Sequence, residues 1–401
     1  MSPPDSMIPQ FRADGYLQVS IYSSIESHRS MVYDAVRNAA YAKAIAAAVT
    51  PACTVLDLGA GLGMHGLLAA AAGAGKVFLL DSSAVVELGA EVAQCNGLGD
   101  RVKVIHKRIE DAEILEPVDI IISVFTGNFL LAEDLLPYLF SARERFLKPG
   151  GVMIPGSARM QAALVTAQEF HDQHVACWSQ PNFGVDFAPL RRFAANTVYY
   201  RSAEAMAATL LCAAVQVHEL DFATATTAAC HSRVDMQVRQ TGTCHGLLGW
   251  FDMHLAGEWL STGPAAEPMH WSLAFLPLDP PMLLHEGETV QLQLDRPEFG
   301  EWTWVLSRGT ERQRHSTFQS NRVDLAYLKK VAPDHVPGIG DQGEMALLVL
   351  TQMAAGKSVA EIATRVRRQF PVIAARDPQL DKRIRRLVAE WGAHDNETAA
   401  E

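Results

Sequence analysis

One segment constrains this chain more than any other: Val55-Leu56-Asp57-Leu58-Gly59-Ala60-Gly61-Leu62-Gly63, an apolar run that ends in D-x-G-x-G-x-G and passes directly into helix-favouring sequence over 64–72. A strand that turns into a helix at glycines lets backbone and ligand approach closely and aims the helix's first amides at whatever sits above the turn. Such a strand needs parallel neighbours, and the sequence supplies them. β-Rich runs at Thr54–Leu58, Lys76–Asp81, Val102–His106, Val118–Ser123 and 152–154 alternate with helical stretches at 64–72 and 84–96, with Gly73 and Gly97 just beyond their ends. The alternation predicts βαβ units, and runs that are apolar throughout predict a parallel sheet covered by helices on both faces. Leu56, Leu58, Phe78, Leu79, Ile120 and Ile122 are the expected core of a doubly wound, Rossmann-like α/β domain over 51–155.

The flanks read differently. Before the sheet, Met31, Val32, Val36, Ala39, Ala40 and Ile45 recur at helical spacing until Thr50-Pro51, so residues 1–50 are expected to form a helical lid. After Pro155 the pattern alternates with period two at 161–165, 215–220, 234–238, 247–255 and 289–294, which predicts an antiparallel β domain over 156–322. Alanine-rich sequence at 203–211 interrupts it and predicts a helical arm near 190–212 that needs a partner surface. Residues 323–401 return to helical spacing at 343–355, 358–370 and 380–391, where Ser358 and Glu361 form an S-x-x-E helix start; a small three-helix module is expected, frayed at 396–401.

Asp81 ends the second predicted strand, about 20 residues beyond the glycine loop, where a carboxylate meets a ribose. Loop and acid together point to an adenosine-type ligand; Asp81 could also cap the helix near Ala84, and both roles are compatible. The spacing is G-x-G-x-G, not the G-x-G-x-x-G that cradles a dinucleotide's pyrophosphate, so S-adenosylmethionine fits better than a nicotinamide cofactor. Glu110, after the strand Val102–His106, could accept from an adenine amino group or be a solvated loop charge.

A formal charge of −11 disfavours a nucleic-acid-coating protein and is compatible with cationic substrates. The six cysteines form no C-x-x-C pair. Cys230-His231 and Cys244-His245 could supply four metal ligands, but strand alternation would point the members of each pair to opposite faces, and no metal is expected. No apolar run approaches the roughly 18 residues that span a bilayer, and the first ten residues carry no signal pattern, so a cytoplasmic enzyme without membrane contact is expected.

At this point the chain resembles a known family, the protein arginine N-methyltransferases of the class I S-adenosylmethionine-dependent superfamily, from about Tyr22 to about Leu294. The opening helix pattern through Met31-Val32-Tyr33-Asp34-Ala35-Val36-Arg37, the donor loop at 57–63 and Asp81 match in order. The run from Val118 through Ser123-Val124-Phe125-Thr126-Gly127-Asn128-Phe129-Leu130-Leu131-Ala132-Glu133 is similar to the family's double-glutamate hairpin. Met269-His270-Trp271 is similar to its Thr-His-Trp loop.

The resemblance implies a donor site of Arg37, Asp57, Gly59, Gly61, Gly63, Asp81, Ile109 and Glu110, with Arg37 on the methionyl carboxylate. It implies that Glu133 holds the acceptor nitrogen and that His270 pairs with Asp34 to orient the site and handle the released proton. Val124, Phe125, Asn128 and Trp271 would line the acceptor side. Val124 stands where the family has its first hairpin glutamate, Gln18 where it has a tyrosine, and Met269 where it has a threonine.

The expected activity is methyl transfer to a nitrogen of a peptide, protein or arginine-like acceptor. A small-molecule N- or O-methyltransferase of the same fold, or a donor-binding pseudoenzyme scaffold, are the alternatives. The family's arm implies a homodimer. The C-terminal module is similar to a small winged-helix or peptide-recognition unit, with Arg365, Arg367, Arg368, Lys382, Arg383, Arg385 and Arg386 as a basic face; nucleic acid is not the expected partner.

Overall fold

The computed structural model describes residues 24–114 and 116–392, in two compact units, Met1–Val323 and Asp324–Glu401. The first part of the expected lid, with Gln18 and Tyr22, and the tail at 396–401 lie outside the described residues. What remains of the lid is two helices, α1 (Ile25–Val32) and α2 (Ala35–Ala48). The helical pattern breaks between them because Asp34 takes an extended backbone and its carboxylate caps α2 at the Arg37 amide, 3.0 Å away.

The strands and helices β1 (Thr54–Leu58), α3 (Met64–Ala71), β2 (Lys76–Asp81), α4 (Val86–Cys95), β3 (Val102–His106), β4 (Val118–Ser123), α5 (Leu136–Phe146) and β5 (Leu147–Ile154) follow. They build a parallel sheet in the order β3-β2-β1-β4-β5. All of β1 is buried, and the six residues expected in the core are there. Truncating Leu56 to Ala at this centre would cost about 2–5 kcal/mol in lost packing. The strand order reverses between β1 and β4, which opens a crevice at their carboxyl ends, the place where open α/β sheets bind ligands.

The antiparallel part holds three short helices, α6 (Gln168–His174), α7 (Arg191–Ala194) and α8 (Ala203–Met206). Its strands are β6 (Ser157–Thr166), β7 (Tyr199–Arg201), β8 (Thr209–Leu210), β9 (Val215–Asp221), β10 (Cys230–Gln237), β11 (Gly242–Leu255), β12 (Glu258–Ser261), β13 (Leu273–Leu284), β14 (Thr289–Arg296), β15 (Thr303–Arg308) and β16 (Glu311–Ser316). One sheet runs β7-β13-β11-β6-β8, with β12 on β11 and β9 on β6; the other runs β10-β14-β15-β16.

One local expectation changes here. The 203–211 segment is helical only as far as Met206, because Ala207 turns left-handed at φ 45° and Thr209–Leu210 joins β6 as a strand. His245 and Cys244 are both buried, in a strand covered on both faces, and the β11–β13 register shifts between Cys244 and Gly246. His231 is exposed and 3.1 Å from Asp295.

The second unit contains α9 (Leu325–Lys330), α10 (Asp341–Ala354), α11 (Val359–Gln369), α12 (Pro371–Arg376) and α13 (Leu380–Trp391) around its own core of Met345, Val349, Ile362, Val366, Leu380 and Ile384. Ser358 and Glu361 form the expected reciprocal cap. Five helices replace the expected three, and among the described residues of this unit there is no strand, so the wing of a winged helix is missing. Among the described residues no helix is long and apolar enough to cross a membrane.

Candidate active site

The glycine loop sits between β1 and α3 with Gly59, Gly61 and Gly63 all left-handed, at φ 71°, 53° and 83°. Side chains would be strained there and would also collide: a Cβ on Gly61 would lie 2.7 Å from the His28 ring, and one on Gly59 would lie 2.1 Å from Phe125 Cε1. Asp81 organises this loop, since one carboxylate oxygen accepts from the Gly61 amide at 2.9 Å and the other from Ser83 N at 2.8 Å. Helix α4 begins without a side-chain cap, so Asp81 serves the loop and not the helix.

Asp57 is buried beneath the loop. Its Oδ2 accepts from Gly66 N at 2.7 Å, whereas Oδ1 has no hydrogen-bond partner among the described residues. Burial pushes its carboxyl up to about 7, against the Gly66 bond and the Arg37 charge, which pull it down. An orphaned carboxylate oxygen under a cradle of left-handed glycines, with a second carboxylate at its rim, fits an adenosine-bearing donor with hydroxyl and ammonium groups to offer.

Above the crevice the opening helices meet the loop before β13. Asp34 Oδ2 accepts from His270 Nδ1 at 2.8 Å and from the His270 amide at 3.0 Å. Burial alone would raise the Asp34 carboxyl, but these bonds and that from Arg37 N overcome it and hold it below its usual value. Burial lowers His270 despite the carboxylate's pull, so the ring is neutral at neutral pH. With Nδ1–H donated to Asp34, Nε2 keeps its lone pair. Arg37 is buried; its guanidinium donates to Asn38 Oδ1 and the Met31 carbonyl and lies 5.9 Å from the Trp271 ring. Burial lowers its pKa, with Tyr41, Asp34 and Asp57 opposing.

The hairpin after β4 carries Val124, Phe125, Asn128 and Glu133. Gly127 lets it close, because a Cβ there would meet the Glu133 amide at 2.9 Å. The hairpin is tied to the loop before β13 at two points: Trp271 Nε1 donates to the Thr126 carbonyl at 2.8 Å and Ser272 N donates to Asn128 Oδ1 at 2.7 Å. Val124 and Phe125 are half-buried apolar wall. The lid, hairpin and loop before β13 are thus one bonded assembly over the crevice.

Ile109 and Glu110 stand apart from these bonds. Ile109 is half-buried with its carbonyl 2.6 Å from Arg145 Nη1, and the exposed Glu110 accepts from Arg108 at 3.1 Å. Three residues not singled out from sequence pack beside the glycine loop and the end of β4. His28 is buried, donates Nδ1–H to the Ser24 carbonyl at 2.9 Å and turns its other edge to Gly61. Tyr41 donates to the Ser123 carbonyl at 3.0 Å and lies against His65, ring centroids 4.4 Å apart. Burial drives His65 down to about 3, and its Nε2 has no hydrogen-bond partner among the described residues. His28 and Tyr41 sit in the opening-helix pattern, where their helical spacing was the available signal; for His65 there was none.

Comparison with known proteins bears on this assembly. Residues 50–195 match a methyltransferase domain model and residues 156–298 match the arginine methyltransferase oligomerization subdomain. Protein arginine N-methyltransferase 6 of Xenopus laevis is 31% identical over 310 residues, 73% of this chain and 87% of that one. The arginine N(omega)-methyltransferase of Streptomyces achromogenes is 28% identical over 303 residues, 74% of this chain and 82% of that one. Among solved structures, the Trypanosoma brucei PRMT1 enzyme-prozyme heterotetrameric complex with AdoHcy aligns with a TM-score of 0.68 at 26% identity, covering 74% of this chain and 99% of that one. Arabidopsis thaliana protein arginine methyltransferase 10 aligns with a TM-score of 0.63 at 25% identity, covering 75% and 99%. The chain belongs to the protein arginine N-methyltransferase family, and is an S-adenosylmethionine-dependent methyltransferase.

Proposed function

We propose that this chain methylates a nitrogen of a peptide, a protein or an arginine-like molecule, with Glu133, Asp34 and His270 as its working groups. The observation that carries this is the bonded assembly of Asp34–His270, Trp271–Thr126 and Ser272–Asn128, which sets lid, hairpin and loop over one crevice. Arg37, Asp57, Gly59, Gly61, Gly63, Asp81, Ile109 and Glu110 would hold the donor; Arg37 would turn from Asn38 to the methionyl carboxylate, and Glu110 from Arg108 to the adenine. S-adenosylmethionine supplies an already activated methyl when bound. The protein's task is then to hold donor and acceptor in line, a proximity effect. Glu133 would orient the acceptor nitrogen, Val124, Phe125, Asn128 and Trp271 would wall it, and His270 Nε2 would take the proton that the nitrogen releases.

The acceptor's size divides two readings. The Streptomyces relative is named for the omega nitrogen of arginine, and Val124 removes one carboxylate that a peptidyl guanidinium would meet in the family's hairpin. Incubation with deuterated-methyl donor and a size-fractionated cell extract separates them: label on protein guanidino nitrogens supports a protein acceptor, label confined to small molecules supports a free one, and no label in either contradicts the proposal.

We also propose a homodimer joined through the segment ahead of α7, where Phe183, Val185, Phe187 and Leu190 stand exposed within the oligomerization match. The Trypanosoma relative's heterotetramer makes a second, unlike subunit the alternative. Phe183→Glu should then yield a monomer by sedimentation; a wild-type mass of one chain at every concentration would remove the dimer.

A further inference from the structure

We propose that Arg296 is a positioning residue for Glu133, acting from β14 through Asp134; this rests on the reading of Glu133 as the acceptor's carboxylate. The hairpin that presents Glu133 holds three non-glycine residues in left-handed backbone, Phe129 at φ 48°, Leu130 at φ 61° and Asp134 at φ 54°. Such a backbone persists only where its surroundings over-determine it.

Those surroundings come from the antiparallel part. Phe129 is fully buried under Gly249, where a Cβ would come 2.5 Å from its ring, and it stacks on Trp302 with centroids 5.1 Å apart. Trp302 in turn carries the Arg296 guanidinium 5.4 Å from its ring. Arg296 Nη1 approaches Asp134 Oδ1 to 2.8 Å, and both side chains are buried. Neither that atom nor Arg296 Nε makes a hydrogen bond within the described residues, so charge and the Trp302 ring hold this joint. Tyr200 places Glu133 in the same neighbourhood: burial raises its phenol, and the hydroxyl feels Arg296 in one sense and Glu133 and Asp134 in the other.

The consequence is geometric. Asp134 adjoins Glu133, so fixing the Asp134 carboxylate fixes the backbone from which Glu133 projects. Removing either partner leaves the other charge buried and alone, which strongly favours a new arrangement. A shift of about 1 Å at a reacting group can cost about 100-fold in rate. The Arg296 side chain is committed to Asp134 and to the Trp302 ring, so it acts through Asp134.

The test uses the full chain, S-adenosylmethionine, and free arginine and an arginine-containing peptide as acceptor probes. Arg296→Met and Asp134→Asn should each lower kcat by about 10–100-fold and leave donor affinity within about threefold. The double variant Asp134→Asn/Arg296→Met leaves no lone buried charge, so it folds even where a single variant does not. It should be no less impaired than the milder single. A double variant with full kcat and only a lowered Tm makes the pair merely structural and overturns the proposal. Glu133→Gln, measured alongside, separates the two levels: if it turns over normally the Glu133 reading fails and the proposal with it, whereas an inactive Glu133→Gln beside fully active pair variants sinks the proposal alone.

Discussion

The Asp34 carboxylate caps α2 and at the same time takes the Nδ1 proton of His270, 2.8 Å away and 236 residues later in the chain. A helix start thereby fixes the tautomer of the imidazole, because a carboxylate can only accept. That relationship has a pH signature. Burial lowers His270 and the Asp34 bond partly offsets this. The acid limb of kcat/KM should therefore lie below the ordinary histidine value of about 6.5. Asp34→Asn removes the offset and should move the limb further down while reducing kcat by about 100-fold or more. A pH series on both proteins checks this, and a limb that moves upward contradicts it.

His65 gives a stability prediction. Its folded pKa of about 3 lies far below the unfolded value, so the folded chain binds fewer protons between the two. Stability is then complete above about pH 6.5 and falls as pH drops, by about 1.4 kcal/mol for the first unit. His65→Leu, similar in bulk, should flatten this part of the profile and raise Tm at pH 5.5 relative to the wild type. Parallel melting curves at pH 5.5 would refute the account.

Asp81 acts on the donor loop through Gly61 N. Asp81→Ala should weaken donor binding by about 10–150-fold, the loss of a charge-assisted hydrogen bond, with acceptor KM unchanged. Glu110→Gln should cost less, because in this structure Glu110 is committed to Arg108. Calorimetric titration with S-adenosylmethionine ranks the two, and an affinity unchanged in Asp81→Ala refutes the assignment.

On the proposed reading, Val124 narrows the acceptor. Val124→Glu restores a carboxylate opposite Glu133 and should lower KM for an arginine peptide by up to about 10-fold, at some expense in Tm because the site is half-buried. An unchanged KM would mean that the hairpin no longer presents a guanidinium to residue 124.

The parallel sheet was legible because β1 to β4 are short, mainly apolar runs separated by helical or turn sequence, and the loop because its glycines serve φ values that few other residues take. Strand β13 escaped a period-two reading because Pro277, Pro280 and Pro281 lie within it, opposite a register shift in β11. The end of the 203–211 segment was not legible, since alanine favours helix locally while pairing with β6 wins at Thr209–Leu210. Asp34, His270 and Glu133 were named by resemblance, not by any local pattern. The Arg296–Asp134 contact was not legible, because nothing in sequence joins residues 162 apart in a chain whose acids outnumber its bases.

On the proposed reading, Glu133 holds the acceptor and takes no part in holding the donor. Glu133→Gln, assayed for methyl transfer and titrated with S-adenosylmethionine, tests it most directly. The account predicts turnover lowered by at least about 100-fold with donor affinity within a few-fold. Turnover near the wild-type rate, or a parallel collapse of donor binding, would contradict it.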